Sequence, residues 1–158
     1  MRTSTRALTL AALLAGATCL TAAPAAAQHA RITIRSPRPF AQVVAAIEQA
    51  ITDEKMALVC HANAQRGAAA RGVAIKGNQV FLVFRNDFAV RLLAADPDAG
   101  FEAPIRIYAY ENADGTGTVS YIPPTDVLSA YRSAEVQAVA RELDGIFKKI
   151  VDRGVSGR

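Results

Sequence analysis

The chain has 158 residues, of which 51% are hydrophobic, 20% charged and 6% aromatic, and its formal net charge is +4. This length predicts one domain of ordinary size, and the apolar content excludes a chain that is disordered throughout. No apolar run reaches the roughly 18 residues of a membrane-spanning helix, and two Cys with two His exclude a zinc ribbon or a disulfide-rich scaffold.

The first 27 residues have the organisation of a secretory signal peptide. Arg2 and Arg6 supply the positive start, Ala7–Leu20 is a short apolar run, and the small residues that end at Ala27 form a cleavage site. We therefore expect cleavage after Ala27 and a periplasmic or secreted protein without a remaining membrane span. The alternative, an uncleaved anchor, is disfavoured because the apolar run is short for a membrane span.

Cleavage would leave sixteen basic and fourteen acidic residues, a net charge of +2 on residues 28–158. So small a charge provides no basic face for nucleic-acid binding. Cys60 would be the single remaining cysteine, so no intramolecular disulfide can form. Because an exposed lone thiol is oxidised or cross-linked in an oxidising compartment, we expect Cys60 to be buried and inert.

Hydrophobic patterning predicts alternating strands and helices along the remaining chain. Arg31–Arg35 alternates apolar and polar residues, as in a strand with one buried face. Ser36 and Pro37 then indicate the N-cap and first turn of a helix whose apolar stripe ends near Glu54. A second strand is predicted at about Met56–His61, followed by a short Ala-rich helix.

The middle of the chain contains two further predicted strands. Val80–Phe84 is short and continuously apolar, as in a central strand covered on both faces. Asn86 is predicted to cap a short helix that begins at Asp87. The next strand begins at Pro104, and its alternation predicts that one face carries Ile105, Ile107 and Ala109 and the other Arg106, Tyr108 and Tyr110. Tyr121 is a candidate to share the face of Tyr108 and Tyr110.

Asn112–Gly117 contains Asp-Gly, which is typical of a hairpin, and a fifth strand follows at Thr118–Ile122. The last element is predicted to be helical as far as Val151, with a frayed tail after it. This order predicts a single two-layer α+β domain, in which one antiparallel-rich, five-stranded sheet packs two main helices on one face.

Several ordered motifs of the chain resemble those of one protein family. They are Ser36–Pro37, Cys60–Ala64, Phe84–Asp87, Leu92–Gly100, Ala103–Ile107 and Asp114–Gly115 leading into Ser120–Tyr121. Over about residues 32–151 the chain is similar to the domain of unknown function 302 (DUF302) family. The resemblance implies a β-α-β4-α fold of the TATA-binding-protein-like class, without DNA binding, and it implies no agreed activity.

The chain departs from the pattern of that family at two motifs. Arg85 and Asp87 stand where the family has Gly and Pro, and Cys60 stands where the family has the Asp that precedes its His. A glycine at position 85 would permit a positive φ or the close approach of another group to the backbone. The side chain of Arg85 disfavours both. Since both motifs are expected to form a site, we expect any family site to be altered in this chain.

The predicted ligand-binding residues are His61, Arg85, Asn86 and Tyr121. His61 matches the family's motif His and is either a proton donor, proton acceptor or metal ligand, or a structural His that orients a turn. Arg85 is available to an acidic group of a ligand, and Asn86 to a polar one. The scarcity of Cys and His predicts no metal site and no cofactor.

The sequence is compatible with three classes of function. The favoured one is an exported small-ligand-binding or interaction module without catalysis, whose partner is a small molecule. The second is a hydrolase or isomerase with His61 as general acid or base. The third is a structural or assembly protein of the cell envelope, acting through an exposed apolar patch.

Overall fold

A computed structural model of the chain describes residues 30–158, which form a sheet layer and a helix layer. The strands are β1 (Ile32–Pro39), β2 (Ala57–Asn63), β3 (Asn78–Phe84), β4 (Ile105–Glu111) and β5 (Thr116–Tyr121), all antiparallel in the order β1-β5-β4-β3-β2. The helices are α1 (Phe40–Asp53), α2 (Ala64–Ala69), α3 (Asn86–Ala95), α4 (Pro124–Val127) and α5 (Ala134–Ser156), with a 3₁₀ turn at Pro97–Glu102. The helices pack on one face of the sheet, so the predicted α+β fold is confirmed.

The core lies between the sheet and the two long helices. The predicted apolar stripes of α1 and α5 face inward and meet alternate positions of the central strands. The fully buried members include Val43, Ile47, Phe81, Ile107, Val119, Val139 and Phe147, each with 0% exposure. Burying a side chain of this size stabilises the fold by about 1.5–3 kcal/mol. One continuous core confirms a single domain.

The register of the sheet assigns each side chain to one of two faces. Phe81 pairs with Ile107, which pairs with Tyr121, and all three lie on the helix side. The next row, Val80, Tyr108 and Ser120, lies on the opposite side, which we call the open face. In β4 the buried residues are Ile105, Ile107 and Ala109, as the alternation predicted.

Ser36 and Pro37 do not begin the first helix, contrary to the prediction, because β1 continues through them to Pro39. The Ser36 side chain is buried, and its hydroxyl donates to the carbonyl of Val155 at 2.6 Å and accepts from the N–H of Arg38 at 3.1 Å. A tertiary contact with the end of α5 therefore outweighs the local capping signal.

The end of the chain is helical to Ser156, so the prediction of a frayed tail after Val151 is wrong. Gly154 lies against α1, where a β-carbon would stand 2.5 Å from Cγ1 of Ile47. Gly157 then ends the helix with a φ of 75°, a left-handed conformation that glycine adopts without steric cost. The last turn is thus part of the packed domain.

A β-bulge in β2 decides which way Cys60 and His61 face. The pairing with β3 shifts between Leu58 and Cys60, so Val59 is an extra residue in the strand. An unbroken strand would place Cys60 on the same side as Leu58, whereas the bulge turns Cys60 to the open face and His61 to the helices. Cys60 is exposed, and the prediction that it is buried is wrong.

The predicted signal peptide and its cleavage after Ala27 lie outside the described residues. Both stay predictions. Within residues 30–158, no helix has the length and apolar character needed to cross a membrane.

Candidate functional site

His61 is held between α1 and β3. Its Nδ1 lies 3.2 Å from Oε1 of Glu48 on α1, and its Nε2 lies 2.5 Å from Oε1 of Gln79 on β3. The ring stacks on Phe81 with centroids 4.6 Å apart. The His61 side chain is 28% exposed, so solvent reaches part of the ring.

Both ring nitrogens of His61 therefore have protein partners. A general acid or base needs a ring nitrogen within hydrogen-bond reach of the substrate. Proton transfer through His61 would first require Glu48 or Gln79 to move aside. Among the described residues, no group of three or more His, Cys, Asp or Glu could hold a metal ion. The partners of His61 are side chains of α1 and β3 rather than the backbone group of a turn, and its role in a site stays a prediction.

Arg85 follows β3 and is held by its neighbours. Its Nε donates to Oδ1 of Asp87 at 2.7 Å, and its guanidinium carbon lies 4.1 Å from the centre of the Phe88 ring. The hydrogen bond from Arg85 is the main cause that lowers the pKa of the Asp87 carboxyl. An acidic ligand would have to compete with Asp87 for this guanidinium.

Asn86 is the first residue of α3, and Arg85 occupies the N-cap position without a side-chain capping bond. The prediction that Asn86 is the N-cap is therefore wrong, because the N-cap lies one residue earlier, at Arg85. The backbone of Arg85 is still extended, with φ −149°, and the helix begins directly after it. Asn86 is exposed, and its contact with a ligand stays a prediction.

Tyr121 faces the helices and is 8% exposed, with its ring centroid 6.4 Å from that of Phe147. Burial, followed by the negative charge of Asp144, raises the pKa of the Tyr121 hydroxyl. Tyr108 and Tyr110 lie on the open face with centroids 5.7 Å apart. The three tyrosines do not share one face, because Tyr121 pairs with Ile107, a buried position of β4.

The structure does not bring the four predicted site residues together. His61, Phe81, Ile107 and Tyr121 form one row across four strands. Three strand spacings, about 14 Å, separate the backbones of His61 and Tyr121. Arg85 lies about 13 Å further along β3 from Phe81, at the rise of an extended chain. A single ligand contacting all four would have to span most of the sheet.

A cleft of about 420 Å³ opens on the sheet where β4 begins and β5 ends, and we call it the open-face cleft. Its lining combines residues of the sheet with residues just outside it, including the last residue of α4: Arg31, Val80, Ile105, Arg106, Tyr108, Ser120, Tyr121, Ile122 and Val127. Of the four predicted site residues, this lining includes Tyr121 and lacks the other three.

Two arginines stand at this cleft. Ile32 on β1 and Ile107 on β4 both pair with Tyr121 on β5. Arg31 and Arg106, which precede them, therefore lie in one row two strands apart, with about 10 Å between their backbones. Both are exposed, and the residues that line the cleft include no Asp or Glu. The cleft thus joins an apolar floor to two positive charges.

Comparison with known families matches residues 32–153 to the model of DUF302, a domain of unknown function. The chain belongs to the DUF302 family. Its structure is similar to the crystal structure of an uncharacterized conserved DUF302 protein from Bacillus stearothermophilus, with a TM-score of 0.67 and 14% identity, covering 78% of this chain and 96% of that one. At that identity the likeness shows the fold alone. No curated protein matches the sequence.

Arg85 and Asp87, at which the resemblance implied a departure from the family pattern, pair with each other. Arg85 and Asp87 form the 2.7 Å ion pair described above, across the first residue of α3. The φ of Arg85 lies in the extended region that any residue adopts, so this backbone does not require glycine. Arg85 and Asp87 therefore form one local unit at the start of the helix.

Part of the cleft of this DUF302 chain could be found from its sequence. Alternation along β4 predicted that Arg106 and Tyr108 share a face, and this is confirmed. Arg31, Val80 and Ser120 were missed as site residues, because their position beside β4 depends on the order of the strands. Alternation shows which residues of one strand share a face, but it carries no information on which strands are neighbours.

Proposed function

We propose that this DUF302 chain is an exported module that binds a small, partly apolar molecule in its open-face cleft and catalyses no reaction. The observation that carries the proposal is the cleft of about 420 Å³ at the end of the sheet where β4 begins and β5 ends. Binding sites for small molecules are concave, mostly apolar and of about 300–1,000 Å³. The open-face cleft has this size, and its lining is mostly apolar.

The floor of the cleft is preorganised by the sheet. Val80, Tyr108 and Ser120 lie side by side on the three central strands. The Ser120 hydroxyl is 3.1 Å from that of Thr33, and the Tyr108 hydroxyl accepts a hydrogen bond from the amide of Asn78. Because these side chains are already ordered, a ligand would lose little affinity to ordering them.

Export is the second part of the proposal, and the signal-peptide pattern of residues 1–27 supports it. A net charge of +2 after cleavage is in keeping with a partner that is a small molecule rather than nucleic acid. The ligand would then be a compound found in the periplasm or outside the cell.

The binding proposal can be tested by nuclear magnetic resonance with two probes of one shape, 2-naphthalenemethanol and 2-naphthoate. We expect at least one probe to cause saturable shifts of backbone amides around the open-face cleft. Val80→Trp should abolish these shifts by filling the floor. Ala62→Trp is the matched control, because Ala62 pairs with Val80 on the same face but does not line the cleft.

Two results would contradict the proposal. One is the absence of saturable shifts at millimolar concentrations of both probes. The other is binding around His61 that survives Val80→Trp and is lost in His61→Ala. The second result would instead support the predicted site at His61.

A further inference from the structure

Arg31 and Arg106, which line the open-face cleft, indicate the chemical class of its ligand. We infer that the ligand is an amphiphilic acid, with its oxyanion bound between Arg31 and Arg106 and its apolar body on the floor of the cleft. The inference rests on the binding proposal above. It adds a requirement for negative charge that the shape of the cleft alone does not impose.

The geometry suits one oxyanion placed between the two side chains. Arg31 and Arg106 lie in one row on the same face, on either side of β5, about 10 Å apart at the backbone. Two long side chains at that separation can converge on a single group. Guanidinium groups bind carboxylates and other oxyanions through paired, charge-assisted hydrogen bonds, which are about twice as strong as neutral ones.

The charges around the cleft leave these arginines available. Several other arginines are neutralised by carboxylates at 2.6–2.8 Å, in the pairs Arg35–Asp114, Arg85–Asp87, Arg91–Glu135, Arg91–Glu142 and Arg153–Asp53. Within residues 30–158, the ion pairs do not include Arg31 or Arg106. A ligand anion would therefore meet two positive charges and no competing carboxylate.

The floor indicates that the acid has an apolar body. Val80, Ile122 and Val127 line the cleft beside the arginines, and the ring of Tyr108 adds an aromatic surface. A small inorganic anion would contact the arginines and leave these side chains in water. An amphiphilic acid covers both, and each Å² of apolar surface removed from water contributes about 25 cal/mol.

The test uses the same two probes. They share one ring system, but 2-naphthoate carries a carboxylate where 2-naphthalenemethanol carries a hydroxymethyl group. We expect 2-naphthoate to bind the wild-type chain at least 10-fold more tightly than 2-naphthalenemethanol at low ionic strength. Arg106→Gln and Arg31→Gln should each lower the affinity for the acid by about 10-fold and leave the affinity for the alcohol unchanged. Arg132→Gln, which removes another exposed arginine that does not line the cleft, should change neither.

The outcomes separate this inference from the binding proposal. Equal affinity for the two probes, with no effect of either cleft substitution, would overturn the inference while binding in the cleft stands. An equal loss of acid binding in Arg132→Gln would also overturn it, because net charge would then explain the preference. Binding of neither probe would reject the binding proposal itself.

Discussion

Ser36 connects two parts of the domain that are far apart in sequence. It lies in β1, and its buried hydroxyl contacts the carbonyl of Val155 near the end of α5 and the N–H of Arg38. A buried backbone group that loses its hydrogen-bond partner destabilises the fold by about 1–3 kcal/mol. The local sequence Ser-Pro resembles a helix start, so this role could not be predicted without knowing where α5 ends.

We predict that Ser36→Ala lowers the free energy of unfolding by about 1–3 kcal/mol, because it leaves the carbonyl of Val155 and the N–H of Arg38 without this partner. Urea denaturation followed by circular dichroism measures the change. Ser133→Ala is the control, since Ser133 precedes α5 without a side-chain capping bond and should cost less than about 0.5 kcal/mol. Equal effects of the two substitutions would contradict the role of Ser36.

Asp114 orders the β4–β5 hairpin through its carboxylate. Its Oδ1 accepts hydrogen bonds from the hydroxyl of Thr116 at 2.6 Å and from the N–H of Thr116 at 3.2 Å, and its Oδ2 accepts from Arg35 at 2.6 Å. These contacts, with the Thr116 hydroxyl first, lower the pKa of Asp114 to about 2. The ionised form is therefore favoured by folding.

A lowered pKa in the folded state predicts a specific dependence on pH. The stabilisation by Asp114 is complete above its unfolded pKa of about 4 and is lost as the pH falls towards 2. Asp114→Asn should therefore be less stable than wild type at pH 6, and the difference should shrink between about pH 4 and pH 2. Urea midpoints at pH 6 and pH 2 measure this.

Asp98→Asn is the matched control for Asp114→Asn, because the Asp98 carboxylate has no hydrogen bond or ion pair within residues 30–158. It should show no comparable dependence on pH. A difference between Asp114→Asn and wild type that stays constant down to pH 2 would contradict the proposed role of the carboxylate.

At the scale of elements, two glycines of α5 have opposite surroundings. A β-carbon at Gly154 would stand 2.5 Å from Cγ1 of Ile47, whereas one at Gly145 would have no heavy atom within 4 Å. Gly154 therefore permits the close approach of α1 and α5, and Gly145 is a solvent-exposed helical position where glycine is only a weak helix former.

Gly154→Ala should destabilise the domain by about 1–3 kcal/mol through overpacking, while Gly145→Ala should stabilise it by about 0.5–1 kcal/mol. Thermal and urea denaturation of the two variants measure the contrast within one helix. Combining Gly154→Ala with Ile47→Ala should cost less than the sum of the two single changes, since the clash disappears. Destabilisation by Gly145→Ala, or none by Gly154→Ala, would contradict this packing.

The errors at the start of α1 and at the end of α5 share a physical cause. The stripes of α1 and α5 and the alternation of β4 follow local periodicity, and all three are confirmed. The start of α1, the exposure of Cys60 and the end of α5 depend on contacts between distant segments. A single inserted residue, Val59, reverses the orientation of Cys60, and no pattern in the sequence marks that insertion. For the same reason the sequence predicted only some of the residues that line the cleft, since the cleft forms where β1, β5 and β4 lie side by side.

At the scale of the whole molecule, the export proposal predicts the mass of the protein. The chain recovered from the periplasm or the medium should begin at Gln28, which intact-mass spectrometry and N-terminal sequencing can measure. Replacing Ala25 and Ala27 by Leu should block cleavage, because the processing site needs small residues. Recovery of the native chain with Met1 still present would contradict the proposal.

Both outer strands of the sheet are irregular. The pairing of β1 with β5 shifts between Arg35 and Pro39, and β2 contains the bulge at Val59. Prolines and bulges at an outer strand hinder main-chain pairing with another polypeptide. The five-stranded sheet is therefore poorly suited to grow sideways into ribbons or fibrils, and we expect the folded protein to resist this route of aggregation when it is concentrated.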